Sequence, residues 1–203
     1  MLNLYLKHYQ ECVADAAALL QANSPAWYEL DAREQARKDL IYRYSWAVPD
    51  DKALRIIKRY SPILEVGAGT GYWSALLRDQ GADVMAFDRN PPRTGRNSYK
   101  HRTQYTWIHQ GPAEVSAFFP DRTLFICWPP YDTNMASRAL ECYQGKHVIF
   151  VGESWGGCTG DERFHQLLSN DFTLIREYQH PNWGGLHDKL YVYRRNDHVV
   201  AKP

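Results

Sequence analysis

The spacing of apolar positions changes once along the chain, near residue 60. Before that point Tyr5, Tyr9, Cys12, Ala16 and Leu19 recur at three- and four-residue steps, the stripe that an amphipathic helix buries. Asn23, Ser24 and Pro25 interrupt the stripe, because proline pushes the residue before it out of helical geometry. A second helical stretch is predicted over 32–42. Pro49, Asp50 and Asp51 then read as a helix start, with acids in the first turn ahead of Leu54, Ile56 and Ile57. Ser61 and Pro62 stop that helix.

Beyond residue 62 short apolar runs alternate with helix-like segments. Strands are predicted over 63–66, 84–87, 106–108, 124–127 and 148–151, with helices near 72–80, 113–119, 134–143 and 161–169. Thr159 to Glu162 have the spacing of a capping box for the last of these helices. Runs apolar on both faces, separated by helices, indicate a parallel sheet covered on both sides. The tail differs. Its two strand-like runs, 172–178 and 189–194, are joined by a loop holding Pro181, Trp183, Gly184 and Gly185, so they are most simply antiparallel. The expected organisation is a helical cap over residues 1–60 and an α/β domain over 61–203.

Composition narrows the picture further. The 203 residues suit one domain with a proper core. Lys plus Arg number 24 against 23 Asp plus Glu, so no long-range field draws the chain to nucleic acid or to anionic membranes, although a local basic patch is compatible with that balance. No apolar run approaches the roughly 18 residues of a membrane span. Residues 1–8 lack the charged lead into an apolar region that marks a secretory signal, so a cytoplasmic protein is expected. The four cysteines lie far apart with no C-x-x-C pair, which argues against a zinc site and against a disulfide framework.

The strongest chemical signal is Glu65-Val66-Gly67-Ala68-Gly69-Thr70-Gly71, between a predicted strand and a predicted helix. Glycines there allow a tight turn and let backbone approach a ligand that a side chain would block. The next strand ends in Asp88, where a carboxylate is placed to accept hydrogen bonds from both hydroxyls of a ribose. This glycine segment resembles motif I of the class I S-adenosylmethionine-dependent methyltransferases more closely than the dinucleotide fingerprint. The resemblance covers about residues 63–194. It implies S-adenosylmethionine as cofactor, with Glu65 near the methionine amino group and Asp88 on the ribose. Gly67, Ala68, Gly69, Gly71, Arg89 and Gln110 complete the expected cofactor site. It also implies a Rossmann-like, seven-stranded, mostly parallel sheet in the order 3-2-1-4-5-7-6, its last strand antiparallel, with helices on both faces.

Two departures from that family's pattern stand out. Trp128-Pro129-Pro130-Tyr131 follows the fourth predicted strand, the place of motif IV. Amino methyltransferases carry Asn, Asp or Ser at the first position, to accept from the target amino group. Indole only donates. Trp128, Pro129, Pro130 and Tyr131 are still the candidate catalytic segment, through the Pro129 carbonyl and a stacking Tyr131, or they form a rigid proline turn with Trp128 and Tyr131 packed in the core. Pro112 stands where many relatives carry an acid for the adenine, and Gln110 is the candidate substitute.

For the acceptor, Arg89, Arg93, Arg96, Lys100 and Arg102 form a run without an acid, read either as a loop for an anionic group or as a solvated surface. Trp46 and Glu153 are further candidates. His180, His187 and Asp188 flank the last loop, as a possible His–Asp base or as ordinary hairpin residues. The reading is a methyltransferase for a small or locally anionic acceptor. A nucleic-acid or protein amino methyltransferase using the Pro-Pro-Tyr segment is the alternative, and a catalytically silent cofactor-binding or partner subunit is another. No metal is expected, and the oligomeric state is open.

Overall fold

The fold, seen in a computed structural model, is described over residues 1–21, 26–97 and 103–197. Helices α1 (Leu4–Gln21), α2 (Ala26–Arg43) and α3 (Asp51–Lys58) lead into β1 (Ile63–Val66), α4 (Tyr72–Asp79) and β2 (Val84–Asp88). Then come β3 (His109–Gln110), β4 (Thr123–Cys127), α5 (Met135–Cys142), β5 (His147–Gly152), α6 (Glu162–Asp171), β6 (Phe172–Tyr178) and β7 (Lys189–Arg195). The sheet has seven strands in the order β3-β2-β1-β4-β5-β7-β6, as the resemblance implies. β1 to β5 pair in parallel, and β7 runs antiparallel to both β5 and β6.

Several local expectations shift. The second helix begins at Ala26 rather than near residue 32, while the predicted break at 23–25 lies outside the described residues. The third strand forms at His109–Gln110, not at 106–108. Residues 105–107 are claimed by α4 and its loop: the Tyr105 amide donates to the Thr70 carbonyl, and the Arg78 guanidinium donates to Thr106 Oγ1 and to the Trp107 carbonyl. Residues Ala113–Phe118 wind as a 3₁₀ helix. The cap of α6 is Asp161, which accepts from the Phe164 amide at 3.2 Å, and not Thr159. Thr159 is engaged elsewhere, its hydroxyl paired with the backbone of Glu153.

The N-terminal helices share the main core rather than resting on it. Tyr5, Leu40 and Tyr44 bury in one cluster with Trp73, Phe125, Ile149, Trp183 and Val192. Tyr44 stacks on Tyr5 with ring centroids 5.1 Å apart, and packs on Tyr72 and Tyr105 at 4.9 and 5.8 Å. Its hydroxyl meets His8 Nδ1 at 3.0 Å, and its carbonyl accepts the Thr70 hydroxyl. The Trp183 indole donates to Tyr5 Oη at 3.1 Å, tying the last loop to α1. Asn3 donates to the Pro49 carbonyl at 2.7 Å and accepts from the Tyr72 hydroxyl at 3.1 Å. This aromatic knot fixes where the chain passes Trp46 on its way to α3.

Emptying the knot should therefore be costly. Tyr44→Ala is expected to lower unfolding free energy by about 3–5 kcal/mol in urea denaturation, the range for deleting a buried aromatic ring. Tyr44→Phe, which loses only the hydroxyl, should lose about 1 kcal/mol. Equal losses for the two variants would contradict the packing account.

Candidate active site

The site is built where β1 and β2 end side by side. Phe87 closes the turn after β1, its carbonyl accepting the amides of Gly67 at 2.9 Å and Ala68 at 3.0 Å. Gly67 sits at φ 78°, and a Cβ there would approach Met135 Cε to 2.8 Å. Gly71 sits at φ 73° as the residue before α4, where a Cβ would meet Ile108 and Thr106 side chains at 3.0 Å. Both backbone geometries are in the left-handed region that glycine alone enters without cost.

Asp88 ties this turn to its own loop. Its Oδ2 accepts from the Gly69 amide at 2.9 Å and its Oδ1 from the Asn90 amide at 2.8 Å. The Asp88 backbone carbonyl accepts from Gly111 at 3.0 Å. Two of the N–H donors that hold the carboxylate thus come from the glycine turn and from the loop after β2.

A cleft of about 660 Å³ opens over these residues, within the range of small-molecule sites. Gly67, Gly69, Asp88, Arg89 and Asn90 line one end, with Gly111 to Ala113 beside them, while Trp46, Cys127, Trp128 and Pro130 line the other. Met135, at the start of α5, lines the cleft as well. Trp46 and Trp128 stack nearly parallel, centroids 5.4 Å apart and planes 15° apart, and form an aromatic wall. The two lining carboxylates among the described residues are Asp88 and Glu114, and Glu114 is bonded to Arg138 at 3.2 Å. The Cys127 thiol is pushed well up by burial and by the nearby acids Glu65 and Asp188, so it is neither a base nor a thiolate nucleophile.

The remaining candidates fall outside this lining. Glu65 is buried beneath the glycine turn, accepting the Ser74 hydroxyl. Gln110 is exposed and donates to the Arg89 carbonyl at 3.3 Å. Arg93 lies on the outer surface with its guanidinium 4.9 Å over the Trp107 ring, and Arg96 is exposed; neither reaches the cleft. Lys100 and Arg102 lie outside the described residues. The cleft's own guanidiniums are Arg89 and Arg138. Glu153 is buried and occupied by structure, its carboxylate accepting the amides of Cys158 and His187, each at 2.8 Å. The Pro129 carbonyl accepts the Gly160 amide at 2.9 Å, and Tyr131 is 64% exposed rather than stacked in the cleft.

Trp128 carries the least expected geometry. Its backbone sits at φ 48°, the one described non-glycine residue in the left-handed region. For a bulky side chain that conformation costs roughly 1–3 kcal/mol and persists where surroundings enforce it. The enforcing contacts are the Trp128 amide on the Val151 carbonyl at 2.7 Å, the stack on Trp46, and the indole N–H on Asp188 Oδ2 at 3.3 Å.

Sequence reasoning missed Asn90, Thr133, Asn134, Met135 and Arg138 as lining residues. A signal was present for two of them: Asn90 shares the Asp88 loop, and Met135 opens the helix after motif IV.

Burial pushes the Glu65 carboxyl up to about 7, with the Ser74 hydroxyl and Arg78 opposing. The folded protein therefore holds more protons than the unfolded chain between the ordinary value of 4.5 and about 7. Stability from this group is greatest below that window and falls as pH rises through it, by about 3 kcal/mol. Urea denaturation of Glu65→Gln across the window should lack that decline, and an unchanged pH slope would contradict it.

The chain has counterparts among known proteins. Residues 12–141 match the family model described as a methyltransferase domain. No curated protein matches the chain. Among solved structures, the Burkholderia thailandensis 1,6-didemethyltoxoflavin-N1-methyltransferase is 20% identical, with 85% of this chain and 92% of that one covered and a TM-score of 0.49. The magnesium protoporphyrin IX methyltransferase of Synechocystis is 14% identical over 72% of this chain and 77% of its own, also with a TM-score of 0.49. The acceptors named for those two proteins are theirs alone. With its family match spanning well over half its length, the chain belongs to the methyltransferase-domain family, class I methyltransferases whose methyl donor is S-adenosylmethionine.

Proposed function

We propose that this protein transfers a methyl group from S-adenosylmethionine to a small, flat acceptor seated against the Trp46–Trp128 wall. The observation that carries this reading is a single cleft with the glycine turn and Asp88 at one end and stacked indoles at the other. The residues present fit the donor. Left-handed Gly67 and Gly71 carry no Cβ at a turn where one would crowd its neighbours, and the Asp88 carboxylate, an acceptor-only group when ionised, stands beside the Gly69 amide. Gly67, Ala68, Gly69, Asp88 and Arg89 would hold it, with Gly111 to Ala113 flanking and Glu65 and Gly71 supporting the turn from outside the lining. Bound there, S-adenosylmethionine supplies an electrophilic methyl on a sulfonium.

The chain's own part is positioning and exclusion of water. Among the described residues the lining holds no histidine, and its acids are engaged by backbone amides or by Arg138. That arrangement favours an acceptor whose nucleophilic atom has no need of a protein base. With Arg89 given to the donor, Arg138, paired with Glu114 and Glu141, is the lining guanidinium that an anionic acceptor would meet, in place of Arg93 and Arg96. Residues 1–60 act as the cap that delivers Trp46.

Calorimetry with S-adenosylhomocysteine tests the donor site directly. The wild type should bind, and Asp88→Ala should weaken binding by about 2–3 kcal/mol, or roughly 30- to 150-fold. Arg93→Gln combined with Arg96→Gln should leave that affinity unchanged. Absence of binding by the wild type would sink the proposal. Release of S-adenosylhomocysteine on incubation with donor and cell extract separates an enzyme from a silent subunit.

A further inference from the structure

Behind the aromatic wall lies a buried pair that methyl transfer itself does not call for. His180 and Asp188 are each 2% exposed, and His180 Nε2 lies 3.2 Å from Asp188 Oδ2. His180 Nδ1 is 2.8 Å from the Pro181 carbonyl oxygen, which only accepts, so Nδ1 carries a hydrogen. With that hydrogen on Nδ1, a neutral imidazole turns a lone pair toward Oδ2. An ionised Asp188 would then set negative charge against that lone pair in a place closed to water, where an unrelieved contact is costly. One proton between Nε2 and Oδ2 removes the conflict, whether it rests on the ring or on the carboxyl. Either way Oδ2 keeps a lone pair for the Trp128 indole N–H.

We propose that His180 and Asp188 hold one shared, buried proton, and that this neutral pair is the positioning device that aims the Trp128 indole as the wall of the acceptor site. It rests on the reading of that wall as the acceptor end of the cleft. The chain has no acceptor at position 128 itself. Instead, a carboxyl sixty residues away grips the indole from behind. The pair is His180–Asp188 and not the adjacent His187, whose side chain is exposed and whose amide binds Glu153.

The surroundings agree from each side. On α1, Tyr5 and Tyr9 lie within electrostatic reach of the carboxyl as phenols that burial keeps protonated. On β4 and β7, Cys127 and Tyr191 are likewise held neutral by burial. One charged neighbour is Glu153, buried but kept ionised by the amides of Cys158 and His187, while the guanidiniums of Arg37 and Arg33 act on the Tyr5 and Tyr9 side. A second negative charge nearby favours retention of a proton on the pair. Asp188 itself is pushed up by burial, with His180 opposing.

Proton count is measurable without knowing the acceptor. In protein labelled with ¹⁵N-histidine and ¹³C-aspartate, NMR at neutral pH should find one proton on the pair. Finding an unprotonated Nε2 together with an ionised Asp188 at neutral pH would overturn the proposal. The positioning half has its own readout. The Trp128 indole N–H signal, assigned by its loss in Trp128→Phe, should exchange with water about tenfold faster in Asp188→Ala. Asp188→Asn, whose atom in place of Oδ2 can accept from the indole or donate to Nε2 but not do both, should also exchange faster than wild type, and wild-type slowness in it would overturn the shared proton as the positioning device. Both variants should bind S-adenosylhomocysteine within about twofold of wild type, since Asp188 lies outside the lining of the cleft. If Asp188→Ala does not fold, the proton count in the wild type decides. Loss of S-adenosylhomocysteine binding by the wild type would instead strike the methyltransferase reading and leave the proton count standing.

Discussion

The site depends on one carboxylate held from two directions. Asp88 accepts an amide from the glycine turn after β1 through one oxygen and an amide from its own loop through the other. These bonds fix the distance between two strand ends that the parallel pairing of β1 and β2 has already aligned. Without them the Phe87 carbonyl would still hold Gly67 and Ala68, but Gly69 would lose its tie to the β2 loop. Beneath the same turn the buried Glu65 and Ser74 pair anchors α4 to β1. A rigid floor results, and a methyltransferase needs little else from its donor end because the donor is already activated.

Much of this was legible along the chain because it is local. A glycine turn between a strand and a helix is written in three residues, and an acid at the next strand end lies only nineteen positions from the Gly69 amide it binds. Strand order followed from the family resemblance and from the missing helix between the last two strands. The third strand was placed three residues early because its apolar signal is real but its backbone is already spent: Arg78 and Thr70 bind residues 105–107 before the sheet reaches them. The α6 cap was misplaced for a similar reason, with Thr159 drawn to Glu153.

The acceptor side was less legible, because it is assembled from distant pieces. Arg93 has the composition of an anion-binding residue, yet its guanidinium finds the Trp107 ring and stays outside. Motif IV read as defective when judged by position 128 alone. In three dimensions that tryptophan stacks on Trp46 from the N-terminal segment and is bonded by Asp188 from the final hairpin. The change of residue type is matched by contacts from both ends of the chain, and no window of neighbouring residues reports such a match.

The central claim is that the β1 turn and the end of β2 form the donor site, and amide hydrogen exchange with and without S-adenosylhomocysteine tests it most directly. Slowed exchange concentrated at Gly67, Gly69, Asn90 and Gly111 is the predicted result. Unchanged exchange at those amides under saturating ligand, with protection appearing elsewhere in the chain, would contradict it.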